Sequence, residues 1–586
     1  MNVAVTTRGY DFQRSGVNSR ETELIASAVK ARGIKQLFSL GIPDNARGCD
    51  ASPLVVPGVK LADGRTLDVV LLATMGNWLY AYDAGSGGLL WHRNLGKPIR
   101  GSETLDGHPI DQHHINDLWG VVSTPVIQDL VIYGCAWISS DGSAIKGQHF
   151  AFAIDVRTGN DVHPLLSLEG ATFAPGHGMA PIKFRSAQRK QRSALAVTKG
   201  ALMIPFGTVL ESGPDARGWI IAVDLTSWKV AASWCSTARG SGGGIWMAGA
   251  GPAVLPNGDL AFFTGNGEFD AVTDFGESMV RVSYKAAAAG TAAEFSVVDW
   301  WTPWTDDGRT GGAAEGEGSP AASNFRKIVH LARLGQLKTG VMSAEWDDMD
   351  LGSGGVAYVP SLDLLVGAGK DGVLFAAKAE NMGKTRPADL DPARNQANYG
   401  KLAFRPIFFT YFAAELDPAP AKIETLNKLA FGLTHHQHGG PICFDSPELG
   451  PTLFNWGENE NGRAWQLTAT GCKYLARTNE SASPQAPQAG GGMPGAMLTL
   501  TCNGHQPGTA VLWATIPYDD ANTNVSAGRL VAYAATEFDN GTLVKLWDSQ
   551  DWNHQFKYNK FGPAVVANGK LFLPTYDGRV IVYGLA

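Results

Sequence analysis

The chain has 586 residues, a formal net charge of −7, 44% apolar and 18% charged residues. That is too long for one ordinary core and too apolar for a disordered chain, so several domains or one large repeat architecture is expected. The acidic balance, with no long Lys/Arg run, excludes a nucleic-acid-binding surface, and the isolated basic stretch "RSAQRKQR" (Arg185 to Arg192) reads as a solvated loop.

In chain order, the N-terminal residues "MNVAVTTRGYDFQRSG" lack a basic flank followed by an apolar run, so no signal peptide is expected, and no run of about 18 apolar residues predicts a membrane-spanning helix. "IKQLFSLGI" (Ile34 to Ile42) is a short strand with no partner nearby in sequence. "DASPLVVPG" (from Asp50) steps through Pro into an apolar strand, and "LYAYDAGSGGLLWHRNLG" (Leu79 to Gly96) follows as alternating strand, Gly/Ser turn and a second strand carrying Trp91. The pair returns: "WGVVSTPVI" (Trp119) precedes "HFAFAIDVRTGNDV" (His149 to Val162), and "RSALAVTKGAL" (Arg192) loosely precedes "GWIIAVDLTSWKVAASW" (Gly218 to Trp234). The apolar steps recur at "AGAGPAVLPNGD" (Ala248), "LGSGGVAYVP" (Leu351), "HGGPICFD" (His438), "GMPGAMLTLT" (Gly492) and "KFGPAVVANGK" (Lys560). The alternating strands recur more weakly at "GVLFAAKAENMG" (Gly372), "GRAWQLTATG" (Gly462) and "GRLVAYAATEFDNGTLVKLW" (Gly528), and the chain ends on half a copy, "DGRVIVYGLA". Helix signal is poor; "NFRKIVHLARLGQL" (Asn324 to Leu337) is the main candidate. It falls in a loop insertion at 311–340, and a second, low-complexity insertion spans 481–492.

The pattern predicts an all-β chain: an eight-bladed β-propeller of four-stranded antiparallel blades, forming a single domain over 1–586. One four-stranded sheet cannot bury both faces, whereas a ring of them can, with the Trp after each turn docking between neighbours. The C-terminal half copy needs an outer strand, and Ile34 to Ile42 supplies it, so the N- and C-terminal strands close the ring. The six Cys residues (Cys49, Cys135, Cys235, Cys443, Cys472, Cys502) are scattered without a C-x-x-C spacing, which leaves them free or paired at long range.

The unit Ala-x-Asp-x-x-Ser/Thr-Gly-x-x-x-Trp, nearly complete at Ala81, Asp83, Ser86, Gly87 and Trp91, resembles the repeat of the pyrroloquinoline quinone (PQQ) propellers, the quinoprotein alcohol dehydrogenase-like family. The resemblance implies eight blades with PQQ and Ca²⁺ on the propeller axis. It places Glu211, three residues after Thr208, where the family has a calcium-binding Glu, and Asn266 where it has a calcium-binding Asn. Trp246 falls where the family has a Trp stacked under the quinone. Asp347 or Asp350 falls where it has a catalytic or calcium-binding Asp, and Lys370 where a cation contacts the quinone oxygens. The implied activity is oxidation of an alcohol or sugar-like substrate. An Asp takes the hydroxyl proton, Ca²⁺ polarises the quinone and Lys370 steadies developing charge. Family habit implies a periplasmic or secreted protein; no haem motif is present, so a separate electron acceptor is implied.

This chain departs from the family at "DQHHINDLWGVVSTP". An adjacent Cys pair and an Arg binding a PQQ carboxylate are replaced there by His113-His114 and then Trp119, which stands as a candidate cofactor contact. The His residues allow a different site. His113, His114, His436, His438 and His554 all precede apolar strand steps, and imidazoles converging at one mouth bind Zn, Cu or Fe. No G-x-S-x-G, H-E-x-x-H or Walker A motif occurs. Three readings stay open: a PQQ- and calcium-dependent oxidoreductase with a small-molecule substrate, a non-catalytic propeller binding a protein or glycan, and a metal-dependent protein using the His-rich mouth.

Overall fold

The computed structural model describes residues 2–44, 46–113, 115–210, 215–302, 350–370, 373–384, 408–411, 436–469, 471–483 and 493–586. The insertion at 311–340, with its candidate helix, and residues 484–492 of the second insertion lie outside the described residues.

The described strands include five four-stranded antiparallel sheets, a five-stranded sheet, and a ten-stranded sheet in which two four-stranded antiparallel runs are joined by a parallel contact of Arg477 with Thr542. These give eight four-stranded runs, or units, that follow one another along the chain. Their first strands are Leu54–Lys60, Val126–Gln128, Ala196–Thr198, Ala253–Val254, Val356–Val359, Ile442–Ser446, Met497–Thr501 and Val565–Ala567. The loosely matching step at Arg192 is therefore a full member of the series. The eighth unit is completed by Ile34–Gly41, which pairs antiparallel with the C-terminal strand Arg579–Leu585, Ile34 opposite Leu585. The expected closure of the two chain ends is thus observed. Between them, the short helix Ala26–Arg32 ends on Gly33 at φ 69°, a left-handed turn that glycine adopts without strain.

Period-2 alternation explains how each unit uses both faces. In the strand Val131–Ser139 of the second unit, Ile132 and Ala136 pack toward the first unit with Leu71, Leu79 and Ala81, whereas Tyr133 and Cys135 pack toward the third with Leu202, Ile204 and Ile221. The same arrangement recurs around the molecule. Eight apolar clusters each join one unit to the next, and the last joins the eighth unit to the first through Leu40, Val580 and Val582 against Val55, Val70 and Tyr80. This closed succession is a propeller ring. The repeat Asp and Trp have structural duties within it. Asp83 holds its turn by accepting the Gly85 N–H at 2.8 Å and the Ser86 hydroxyl at 2.6 Å. Trp91 crosses to the next unit, donating its indole N–H to the Val156 carbonyl at 2.9 Å. Gly159 must lack a side chain there, because a Cβ would sit 2.6 Å from the Trp91 ring.

A feature with no repeat signature organises the centre. The N-terminal segment around residues 3–18 runs among the first strands and hydrogen-bonds to seven of the eight units and to the residue just ahead of the third. Val5 exchanges two backbone bonds with Val55, and the carbonyls of Thr6, Phe12, Gln13, Ser15 and Gly16 accept the N–H groups of Ile127, Val254, Tyr358, Cys443 and Leu500. The Arg14 guanidinium donates to the Leu195 carbonyl, just ahead of the third unit, and the Tyr10 hydroxyl accepts the Val566 N–H of the eighth. Arg14 is buried and also donates to the carbonyls of Arg8 and Pro252 and to the Thr7 hydroxyl; burial pulls its pKa down to about 10, so it stays charged at neutral pH. Cys49, Cys135, Cys235, Cys443 and Cys502 are buried free thiols. Among the described residues no helix is long and apolar enough to cross a membrane.

Two stability measurements check this account. Arg14→Met strands several buried acceptors at once and is expected to lower the unfolding free energy in urea by about 3 kcal/mol, with Arg14→Lys recovering less than half, since one ammonium cannot reach all four. Gly159→Ala, strained both by φ +71° and by the Trp91 ring, is expected to cost more than about 1 kcal/mol.

Candidate functional site

A cavity of about 410 Å³ opens among the loops that lead into the units. Eight residues singled out by the sequence meet on its wall: His113, Trp119, Thr208, Trp246, Asn266, Asp350, Lys370 and His436. They come from positions up to 323 residues apart (436 − 113), so only the closing of the ring unites them.

Local backbone chemistry presents each group. Trp246 precedes Met247 and Ala248, which hold left-handed φ values of 39° and 43°. Such non-glycine residues cost about 1–2 kcal/mol each, strain that the surrounding packing must hold in place. Asp350 reaches the wall over Gly265, where a Cβ would lie 2.2 Å from its Oδ1. Its Oδ1 accepts the Asn266 N–H at 2.9 Å and its Oδ2 lies 2.8 Å from the Lys370 ammonium. Both partners are buried, and Lys370 also sits 5.5 Å from the Trp246 ring centroid. Trp246, Asn266, Asp350 and Lys370 therefore form one contiguous cluster. Thr208 donates its hydroxyl to the Leu210 carbonyl.

His436 Nδ1 lies 3.0 Å from the fully buried Glu458 carboxylate, and the His436 backbone N–H donates to the same oxygen at 3.0 Å. His438 stands behind the wall, 5.9 Å from the rings of both Trp246 and His436. Burial, then the neighbouring His436, drives its pKa well below the usual imidazole value, so it is neutral. His554 is elsewhere: its ring packs against Trp547 and Tyr583 where the seventh and eighth units meet, so it does not join the mouth. The turn after the outer strand carries it to the rim rather than inward. Glu211, Asp347 and His114 lie outside the described residues. Among the described residues no three His, Cys, Asp or Glu side chains gather closely enough to hold a metal ion, so the transition-metal site expected from the His pattern is not assembled there.

The basic stretch overturns the expectation of a solvated loop. Only its start is exposed, where Arg185 pairs with Asp215 at 3.0 Å. Arg189–Lys190 is a strand paired with Gly207–Thr208. Alternation then sends Lys190 and Arg192 to the same side, onto the cavity, 4.8 Å and 5.0 Å from the Trp119 ring centroid. Arg192 is buried and pairs with Asp50 at 2.7 Å. Lys560, another lining residue not singled out from the sequence, donates to the Asn522 side chain at 2.9 Å. Burial, then the Arg192 charge, lowers its pKa to about 7. The missed signal was the alternation in "RKQR", which reads as a strand edge as readily as a loop.

No family model matches the chain, and no curated protein matches it. Among solved structures it is similar to the quinohemoprotein alcohol dehydrogenase from Comamonas testosteroni, at 14% identity and a TM-score of 0.52, over 99% of this chain and 80% of that one. The fold is that of the PQQ-repeat β-propellers. Less similar are the quinohemoprotein alcohol dehydrogenase ADHIIG from Pseudomonas putida HK5 (12% identity, TM-score 0.45, 100% and 80% covered) and a europium-containing methanol dehydrogenase (12%, 0.41, 100% and 85%).

The Asp350–Lys370 pair makes a stability test of the site in the PQQ-repeat propeller. Lys370→Met removes the ammonium beside a buried carboxylate and is expected to cost about 3–5 kcal/mol at pH 7. Protonating that carboxylate relieves the penalty, so the deficit relative to the parent should shrink as urea titrations are repeated toward pH 4.

Proposed function

We propose that this cavity is the active site of a quinoprotein-like oxidoreductase that oxidises an alcohol or sugar-like substrate with PQQ and calcium. The observation that carries the reading is the convergence of Thr208, Trp246, Asn266, Asp350 and Lys370 on one cavity in this fold. The residues fit a planar polycarboxylate. The volume suits a fused-ring ligand, two indoles form walls, and four Lys/Arg side chains face two Asp side chains on the lining. Asn266 and Asp350 supply oxygen donors of the kind hard Ca²⁺ prefers, and Glu211 is a further candidate.

When bound, PQQ supplies a two-electron acceptor and calcium a Lewis acid beside it. The chain's own part is positional and acid–base. Trp246 offers a flat apolar face. Lys370 pairs with Asp350 at 2.8 Å, and a carboxylate at the cavity wall is the group that accepts the substrate hydroxyl proton on an oxygen. Asp347 is the other carboxylate proposed for calcium or for the proton. Burial of Lys370 strengthens its field at any negative charge that grows beside it.

The test is a titration of metal-stripped protein with PQQ and Ca²⁺, followed by tryptophan fluorescence. Saturable, calcium-dependent quenching supports the reading, and absence of binding overturns it. Glu211→Ala is expected to remove the calcium dependence. Asp350→Asn is expected to retain quinone binding while slowing alcohol oxidation, measured with an artificial acceptor, by about 10²–10⁴-fold.

A further inference from the structure

We infer that Lys560 is an amine nucleophile that captures an aromatic aldehyde in the cavity as an imine. The inference does not rest on the quinone reading, because the reaction needs neither PQQ nor calcium.

The fold buries this amine without giving it a counter-ion. Lys560 is 7% exposed and lines the cavity from the loop ahead of the eighth unit. Its neighbours in sequence are tied down. The Asn559 amide donates to the Cys49 carbonyl at 2.7 Å, and the Phe561 carbonyl accepts from Arg8 at 2.9 Å. Bonds on both sides thus hold the loop against carrying the amine out to bulk water. The Nζ atom donates to Asn522 Oδ1 at 2.9 Å and to the Asn522 carbonyl at 3.4 Å, both neutral acceptors. Asp111, Asp50 and Asp520 act on it only from beyond ion-pairing distance, and Asp50 already binds Arg192 at 2.7 Å and receives the Tyr576 hydroxyl. Lys370, by contrast, pairs with Asp350.

A second cation stands beside it. The Arg192 guanidinium lies 4.7 Å from the Phe561 ring centroid, and the Lys560 nitrogen lies 5.4 Å from the same centroid. Burial without a counter-ion and a neighbouring positive charge both favour the neutral amine. They bring its pKa down to about 7, so that close to half of the population carries a nitrogen lone pair at neutral pH. Flat apolar surface borders the amine, since Arg192 also lies 5.0 Å from the Trp119 ring centroid. An aryl aldehyde suits this corner: its ring meets the Trp119 and Phe561 faces and its carbonyl meets Nζ.

The step conserves atoms and electrons. The Nζ lone pair forms a C–N bond to the carbonyl carbon as the C=O π pair moves to oxygen. A proton passes from nitrogen to that oxygen and gives a carbinolamine. The C–O bond then breaks, the oxygen takes a second proton from nitrogen and leaves as water, and a neutral imine remains. No oxidant or reductant is consumed.

The probe is benzaldehyde, presented to the full chain together with sodium cyanoborohydride, which delivers hydride to the imine carbon and fixes it as a secondary amine. Peptide mass mapping locates and times the modified lysines. At pH 7 Lys560 is expected to be benzylated about 10- to 100-fold faster than exposed lysines, which are almost wholly protonated there. Its rate is expected to rise from pH 6 and level off by pH 8, as the amine facing Arg192, Asp111, Asp50 and Asp520 loses its proton, whereas exposed lysines gain rate toward pH 10. Excess benzyl alcohol, which has the ring but no carbonyl, is expected to slow labelling at Lys560 alone. Lys560→Met is expected to lose the fast label, and where that variant does not fold, the map of the parent chain decides. No label at Lys560 in the folded protein, labelling only after unfolding in urea, or a rate no faster than that of exposed lysines overturns the inference. Preferential labelling of Lys190 or Lys370 does the same. Fast labelling of Lys560 in a chain that does not bind PQQ upholds the amine and removes the quinone reading, and PQQ binding without fast labelling does the reverse.

Discussion

The structure depends on one segment that belongs to no unit: the N-terminal stretch around residues 3–18, which hydrogen-bonds to seven of the eight first strands and to Leu195, just ahead of the remaining one. A propeller is a ring of sheets, and the innermost strand of each sheet leaves backbone donors and acceptors facing the axis. Here those groups are satisfied by one continuous piece of chain that takes the units in nearly sequential order. Side chains continue the work. Arg14 gathers four acceptors, and Arg8 donates to the Phe561 carbonyl at 2.9 Å and the Ser52 hydroxyl at 3.0 Å. The Phe561 bond matters most for function, because the Phe561 ring lines the cavity. The central segment and the cavity wall are therefore joined directly by the Arg8 bond to Phe561.

Electrostatics on that wall are arranged against stability. Placing four Lys/Arg side chains on a partly dry surface costs desolvation energy that apolar residues of similar size would not incur. Part is recovered by the two ion pairs, Asp50–Arg192 and Asp350–Lys370, and part by aromatic faces. What remains is visible at Lys560, whose ammonium is held to a pKa of about 7. A group so disfavoured in its charged form costs most at low pH, where it is protonated, and the cost declines as pH rises above that value.

The ring was legible because it is periodic. Asp83, Trp91 and their repeats mark turns and inter-unit contacts, and Ile34 to Ile42 stood out as a strand needing a partner that only the C-terminal half copy supplied. The central segment was illegible for the same reason. Residues 3–18 alternate little and bond to seven different strands, so no local pattern marks them. At the site, residues in motif-like surroundings (Trp246, Asn266, Asp350, Lys370) were found and do converge. Lys190 and Arg192 were missed because a basic run reads as solvated unless its strand register is known, and Lys560 because its partners, Arg192 and Asn522, are distant in sequence. His554 matched a positional rule, but its turn lies at the outer rim, where the same spacing serves packing.

The residues that repeat and the residues that line the cavity are nearly disjoint sets. Asp83, Asp155 and Asp224 occupy equivalent turns and bind their own backbones, as the Thr158 and Ser227 N–H donors at 3.1 Å and 2.7 Å show. Asp350, by contrast, has no counterpart in the repeat, crosses to a neighbouring unit's Asn266 N–H and pairs with Lys370. Trp91 bonds to the next unit, whereas Trp246 is presented from a strained turn onto the cavity. A scaffold needs only the first set, since eight copies of one interface suffice to close a ring. The second set breaks the repeat and carries strain and buried charge that the ring alone does not require. Its concentration on one wall is the physical argument for the proposed site.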